Sequence, residues 1–174
     1  MKTALVIIVA LVVGAGTAAA ANCGGCGGHD KQETAFARVT GSYLTIQTAL
    51  AADSIDGVGS AAKAVADAAH ALMKDFSAEA AGVAAEDAEA CRALLPQVAE
   101  AAGRVGAAGD LDSARAAFAE LSDAMVAYRG LAGGERPQVA WCGMAKHHWL
   151  QDGDAIANPY YGASMLRCGS FVKK

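Results

Sequence analysis

Four stretches of the chain carry apolar residues at spacings that alternate between three and four, and this pattern restricts the fold more than any other feature. The first stretch begins at Phe36 and the last ends at Tyr128. Such spacing keeps the apolar side chains in one stripe along a helix, where they pack against other helices. The stripe residues are Phe36, Val39, Tyr43, Ile46 and Leu50; Val58, Ala62, Val65, Ala69, Leu72 and Phe76; Cys91, Leu95, Val98, Ala102 and Val105; and Leu111, Ala114, Phe118, Leu121, Met125 and Tyr128.

The segments between the stripes contain residues typical of turns and helix caps. Residues 52–57 include Asp, Ser and Gly, and Asp110 is well placed to cap the fourth helix. Pro96 is expected to kink the third helix or to split it. Because short connections favour antiparallel neighbours, the sequence predicts an all-α fold, an up-down-up-down four-helix bundle over residues 33–129. Residues 130–174 are predicted to form an irregular segment that contains cysteine and methionine and packs on the bundle.

Residues 1–21 have the three-part layout of a secretory signal peptide. Lys2 precedes an unbroken apolar run, and small residues then offer Ala19-x-Ala21 as a cleavage site. We therefore expect a periplasmic or secreted protein. Two alternatives stay open: an uncleaved membrane anchor, since residues 4–21 are almost entirely apolar, and lipidation of Cys23.

The charge balance argues against nucleic acid and anionic lipid as partners. The chain has 14 basic and 18 acidic side chains, and loss of Lys2 with the signal leaves 13 against 18, a formal net charge of −5. We expect no membrane insertion after cleavage. We also expect no enzymatic activity, because no Ser-His-Asp order, phosphate-binding glycine loop or pair of catalytic carboxylates stands out.

Residues 22–32 are predicted to form a flexible leader, since glycines separate Cys23, Cys26 and His29. A C-x-x-C spacing with a nearby histidine can bind a metal ion or cycle as a disulfide. The leader is therefore a candidate secondary metal or redox site. The alternative is a leader without such a role, with or without a local disulfide.

Most of the other reactive side chains lie in the C-terminal segment. Residues 158–162 are typical of a turn that would bring the two ends of this segment together. Two thiols and two thioethers form a soft site that selects Cu(I) or Ag(I), with Zn possible if histidine joins. The alternative is a structural disulfide between Cys142 and Cys168, which an oxidising compartment favours. The candidate metal ligands are Cys142, Met144, Met165, Cys168 and His148, with His147 as a further candidate.

The same segment resembles a known family. The stretch Ala140-Trp-Cys-Gly-Met-Ala145, then Trp149-Leu150, Asn158-Pro-Tyr-Tyr-Gly162 and Met165-Leu-x-Cys168-Gly169 is similar to an uncharacterised bacterial periplasmic domain of unknown function. That domain occurs alone or attached to the CusB-type membrane-fusion adaptors of copper/silver and other heavy-metal efflux pumps. Residues 43–54 carry the N-terminal pattern of the family. Gly143 departs from it, since the family usually has Cys-Pro-Met, and the two histidines do not belong to the motif.

The resemblance covers about residues 36–172 and implies a helical bundle with a Cys/Met tail in proteins linked to metal handling. It implies no established activity. The sequence therefore predicts a periplasmic soft-metal-binding or accessory protein, with Cu(I) as the first metal and an efflux adaptor or another envelope protein as a partner. The alternative is a structural or interaction module of the cell envelope in which Cys142 and Cys168 form a disulfide.

Overall fold

The computed structural model describes residues 33–173. The predicted signal peptide and leader, with Cys23, Cys26 and His29, lie outside the described residues. The helices are α1 (Ala35–Ala51), α2 (Val58–Lys74), α3 (Ala78–Ala81), α4 (Ala88–Gly106) and α5 (Leu111–Leu131), and the strands are β1 (Gln138–Cys142), β2 (His147–Gln151) and β3 (Ser170–Phe171). No helix within residues 33–173 combines the length and the apolar character needed to cross a membrane.

The four long helices pack in the order of the sequence, with α1 on α2, α2 on α4 and α4 on α5. Every stripe residue is buried except Phe76 and Leu111, which are half-buried. The alternation of three and four thus identified the inward side of each helix, and the prediction of a mostly helical fold is confirmed.

The helix ends follow local hydrogen-bonding chemistry. Asp110 caps α5 as predicted, because its carboxylate accepts a 2.8 Å hydrogen bond from the amide of Ser113. Thr34 caps α1 by accepting from the amide of Ala37. Pro96 does not split its helix, since α4 runs without interruption from Ala88 to Gly106 with the proline ring exposed. A proline there costs one backbone hydrogen bond, which packing of the other face of the helix compensates.

The C-terminal segment is more regular than predicted, because it contains a three-stranded antiparallel sheet in the order β2-β1-β3. β1 and β2 form a hairpin around residues 143–146, with Gln138 opposite Gln151 and Cys142 opposite His147. β3 pairs with the other edge of β1. The prediction of an all-α chain with an irregular tail was therefore wrong at this point: the fold is a helical bundle with a small sheet.

The sheet shares its core with the helices. β2 packs on α5 and α1, and Trp149, Leu150 and Gln151 are all buried. The hydroxyl of Tyr43 in α1 accepts a 3.1 Å hydrogen bond from the amide of Leu150 and lies 2.7 Å from the hydroxyl of Ser122 in α5. Tyr43 therefore joins two helices and a strand at one buried point.

Candidate metal centre at Cys142 and Cys168

The structure brings Cys142 and Cys168, here called the cysteine pair, into contact. Cys142 is the last residue of β1 and is 0% exposed, whereas Cys168 is half-buried and lies two residues before β3. Their Sγ atoms are 3.9 Å apart and are not bonded to each other. The two thiols thus adjoin each other at the edge of the core, although 26 residues separate them in the chain.

The hairpin turn folds back on the Cys142 sulfur. The amide of Ala145 donates to Cys142 Sγ at 3.4 Å, and the amide of Lys146 donates to the Cys142 carbonyl at 2.8 Å. Lys146 has a φ of 60°, a left-handed conformation that closes the turn. Met144 lies in the same turn, where 63% of its surface is exposed to solvent.

Asn158 holds the segment that carries Cys168. Its side chain donates a 2.7 Å hydrogen bond to the Cys168 carbonyl and accepts one of 2.8 Å from the amide of Tyr160. Its own amide donates to the Leu166 carbonyl at 2.9 Å. Because Asn158 is completely buried, these bonds are shielded from water and fix the chain on both sides of the turn.

Gly169 allows this segment to lie close to the sheet. Its φ is 135°, and a Cβ at this position would overlap the ring of Trp149 and the carbonyl of Trp141. Only glycine combines that conformation with so close an approach. The backbone geometry at position 169, next to Cys168, therefore requires glycine.

The two thiols have different affinities for a proton. Burial opposes ionisation of Cys142, but hydrogen bonds from the Ala145 amide, the Asn158 side chain, the Met144 amide and the Cys168 thiol outweigh it and lower the pKa of Cys142. Burial, together with the hydrogen bond to Cys142 and its charge, raises the pKa of Cys168. As pH rises, Cys142 is therefore the first of the pair to lose its proton, and Cys168 keeps its proton to a higher pH.

The other predicted ligands lie in several places. Met165 is half-buried and shares a turn with Cys168, whose amide donates to the Met165 carbonyl at 2.9 Å. His148 is opposite Trp141 in the hairpin, with the two rings 4.5 Å apart. Because side chains alternate along a strand, His148 lies on the face of β2 away from Cys142.

His147 is the histidine opposite Cys142 in the register. Its Nδ1 atom lies 3.1 Å from a carboxylate oxygen of Asp123 in α5. Within residues 33–173, no three side chains of the types His, Cys, Asp and Glu converge in an arrangement that could hold a metal ion. Of these four residue types, the donors that meet at this point are therefore the two thiols.

Sequence reasoning missed the polar residues that hold the tail on the bundle. Arg115 of α5 donates to the carbonyls of Pro159 at 3.0 Å and Leu50 at 2.9 Å, and forms an ion pair with Asp53. Asp53 also accepts a 2.9 Å hydrogen bond from the amide of Ala163. Gln47, buried in α1, donates to the Ala157 carbonyl at 2.7 Å. A buried glutamine among the apolar residues of α1 was the available signal.

These features define a class of protein: a helical bundle to which a small sheet is docked, with a pair of free thiols at the junction of β1 and β3. The chain belongs to the family described as "Protein of unknown function (DUF3347)", whose model matches residues 39–133, more than half of the chain. The matched part runs from within α1 to just beyond α5, so the cysteine pair lies outside it. No curated protein matches the chain. No solved structure matches it either.

Proposed function

We propose that this protein binds a soft metal ion, with Cu(I) as the best fit, between Cys142 and Cys168. The observation that carries the proposal is the 3.9 Å separation of two unbonded sulfurs. Two thiolates on one tetrahedral zinc ion, at about 2.3 Å from the metal, would be about 3.8 Å apart. The thiols therefore stand close to the separation that a four-coordinate ion requires, and a two-coordinate Cu(I) ion, which lies nearly in line with its two sulfurs, requires them to move slightly further apart.

The donor set favours Cu(I) or Ag(I) over zinc. Thiolates are soft ligands that select monovalent copper, whereas zinc in structural sites almost always takes four ligands. In the described part of the chain the two thiols have no third His, Cys, Asp or Glu converging on them. Cu(I) forms stable complexes with two thiolates. Met144, Met165 and His148 stay predictions as additional ligands, and the exposure of Met144 and the register position of His148 make these two the weaker candidates.

An anaerobic titration of the reduced protein with Cu(I), in competition with a chromogenic Cu(I) chelator, tests this proposal. Cys23 and Cys26 are replaced by serine throughout, so that the leader makes no contribution. We expect one equivalent of Cu(I) bound by the cysteine pair and no comparable binding by the double variant Cys142→Ser, Cys168→Ser. Cys91→Ser is the matched control, because Cys91 is buried in a separate core cluster. Equal binding by the double variant and its parent would exclude the cysteine pair as the site.

The second candidate is a structural or interaction module of the cell envelope with a Cys142–Cys168 disulfide. It is favoured by the contact of the two sulfurs and by the many bonds that already hold the tail on the bundle. Mass spectrometry of the non-reduced protein separates the two candidates. A quantitative Cys142–Cys168 bridge that resists mild reductant would support the structural module and exclude metal binding by this pair.

The proposed setting is the periplasm, with an efflux adaptor or another envelope protein as the partner. Two features support it: the signal layout of residues 1–21 and the resemblance of the tail motif to domains attached to efflux adaptors. In this setting the protein is a non-enzymatic carrier or accessory factor. Cell fractionation and N-terminal sequencing of the exported protein test the location, with a new N-terminus at Asn22 as the expected result.

A further inference from the structure

The two thiols of the cysteine pair differ in their access to solvent. Cys142 is 0% exposed, and its sulfur is in contact with the Ala145 amide at 3.4 Å and the Cys168 sulfur at 3.9 Å. Cys168 is half-buried, so its side chain is partly open to solvent. A molecule that approaches the pair from outside therefore meets Cys168 before Cys142.

The two cysteines also differ in how their backbone is held. Cys142 lies in β1, the central strand, which pairs with both other strands of the sheet. Cys168 lies outside every helix and strand, in the segment between Met165 and β3. Its backbone is held by Asn158 and by one turn bond, with no sheet pairing of its own. The thiol of Cys168 can therefore change partners without breaking the sheet.

We propose that the metal ion enters and leaves the site through Cys168, and that its carrier is a molecule with sulfur donors of its own. This inference rests on the proposed function and adds the order of ligand exchange. Because Cys142 is enclosed, a soft ion reaches it only after Cys168 has bound. A sulfur-bearing carrier fits this route, since it keeps the ion in soft coordination until both thiols have bound.

The exchange balances without any change in oxidation state. Cys168 forms the first bond to the Cu(I) ion held by the carrier, and the thiol proton of Cys168 passes to solvent. Cys142 then forms the second bond as a thiolate, with release of a proton if it was protonated. The two carrier–metal bonds break, and each carrier sulfur takes up a proton from solvent. Copper remains monovalent throughout.

The difference in solvent access between Cys168 and Cys142 is tested without metal. The reduced protein, with Cys23 and Cys26 replaced by serine, is treated with iodoacetamide, and the modified peptides are quantified by mass spectrometry over time. The pH is set so that both thiols ionise and access rather than pKa decides the rate; we then expect Cys168 to react at least about tenfold faster than Cys142, because a buried sulfur is shielded from the reagent. The buried Cys91 is the internal reference for a shielded thiol. If Cys142 reacts as fast as Cys168 or faster, the proposed order is wrong.

The order of exchange is tested with the Cu(I)–glutathione complex as the carrier and native mass spectrometry as the measurement. In Cys142→Ser the first step remains, so we expect an adduct of protein, copper and glutathione to accumulate. In Cys168→Ser we expect no such adduct and a transfer rate at least about tenfold lower than that of the parent. The opposite pattern, or equal behaviour of the two variants, would overturn the inference.

The two proposals fail in different ways. If the parent protein binds no Cu(I) at equilibrium, the proposed function fails. If the parent binds Cu(I) through both thiols but the adduct forms on Cys142, only the entry route fails. Cys91→Ser should behave like the parent in both measurements.

Discussion

Gln47 in α1 donates a 2.7 Å hydrogen bond to the carbonyl of Ala157 in the C-terminal segment. The glutamine is 4% exposed, so its side chain makes this bond from within the bundle, largely shielded from water. A polar side chain inside the bundle thus serves as a docking point for the tail. The segment that carries Cys168 is held on the helices through such contacts.

Gln47→Ala should destabilise the protein, because it removes a buried hydrogen bond and leaves the Ala157 carbonyl without its partner. The expected loss is about 1–3 kcal/mol in the free energy of unfolding, measured by urea denaturation. Gln97→Ala in α4 is the matched control, since Gln97 is exposed, and it should change stability by less than about 0.5 kcal/mol. Equal effects of the two variants would contradict the docking role of Gln47.

The pairing of Asp53 with Arg115 should make stability depend on pH in the acidic range. The hydrogen bonds from Arg115 and from the Ala163 amide hold the pKa of Asp53 below its ordinary value. Because the folded-state pKa is lowered, the stabilisation is present above the unfolded value of about 4 and is lost as pH falls through the folded pKa. The difference in melting temperature between the parent and Asp53→Asn should therefore be constant near neutral pH and shrink below about pH 4.

Asp56→Asn is the control for this measurement, because Asp56 is exposed and forms no ion pair within the described residues. Its melting temperature should follow that of the parent over the whole range. A difference between parent and Asp53→Asn that persists unchanged at low pH would show that the carboxylate charge contributes nothing.

Gly169→Ala and Gly103→Ala should have opposite effects. At Gly169 the φ of 135° and the nearby Trp149 ring leave no room for a methyl group, so alanine should destabilise the sheet and displace Cys168. At Gly103, within α4, the space around the position is open. Alanine there should stabilise the protein by about 0.5–1 kcal/mol, since it favours helix. Urea denaturation measures both changes, and stabilisation by Gly169→Ala would contradict the close packing of Gly169 on Trp149.

Met144→Leu should leave the affinity for Cu(I) within about threefold of the parent, because the exposed Met144 side chain is not enclosed with the thiols. Met165 lies in the turn beside Cys168. If its thioether joins the site, Met165→Leu should weaken Cu(I) binding more than Met144→Leu does. The chelator competition assay measures both affinities. A large loss on replacing Met144 would mean that the hairpin turn closes over the metal.

His148→Ala should also leave the affinity unchanged, since the hairpin register puts His148 on the face away from Cys142. The same assay measures this, with Cys168→Ser as the variant that must lose binding. If His148→Ala weakens binding tenfold or so, the hairpin must rearrange when metal binds.

The helices could be predicted from the sequence because each one buries a single stripe of apolar residues. The strands could not, because β2 is buried on more than one side: His147 and His148 are half-buried, while the next three residues are all buried. The sequence of a strand in such an environment does not alternate between apolar and polar residues, so it lacks the pattern by which strands are predicted. The strands are also only five residues or fewer, too short for a reliable pattern.

The cysteine pair was foreseeable in part. The turn at residues 158–162 and the tail motif indicated that Cys142 and Cys168 meet, and the structure places their sulfurs 3.9 Å apart. Which of His147 and His148 lies opposite Cys142 depends on the strand register, and two adjacent histidines in the sequence do not reveal that register. Gln47 stands among the apolar residues of α1, but the docking roles of Asp53 and Arg115 depend on contacts between distant segments that no local pattern marks.

The contacts of the tail with α1 and with the loop after it have a consequence for how the chain folds. Gln47 and Ala157 are 110 residues apart in sequence, as are Asp53 and Ala163, and Tyr43 and Leu150 are 107 apart. Contacts of such separation form slowly, because a long loop must close before they are gained. A chain that ended at residue 133, where the family match ends, would keep all four long helices but leave the tail-binding groups of α1 without partners. We expect the helices to associate early. The complete native fold should form only after about the last forty residues have been synthesised.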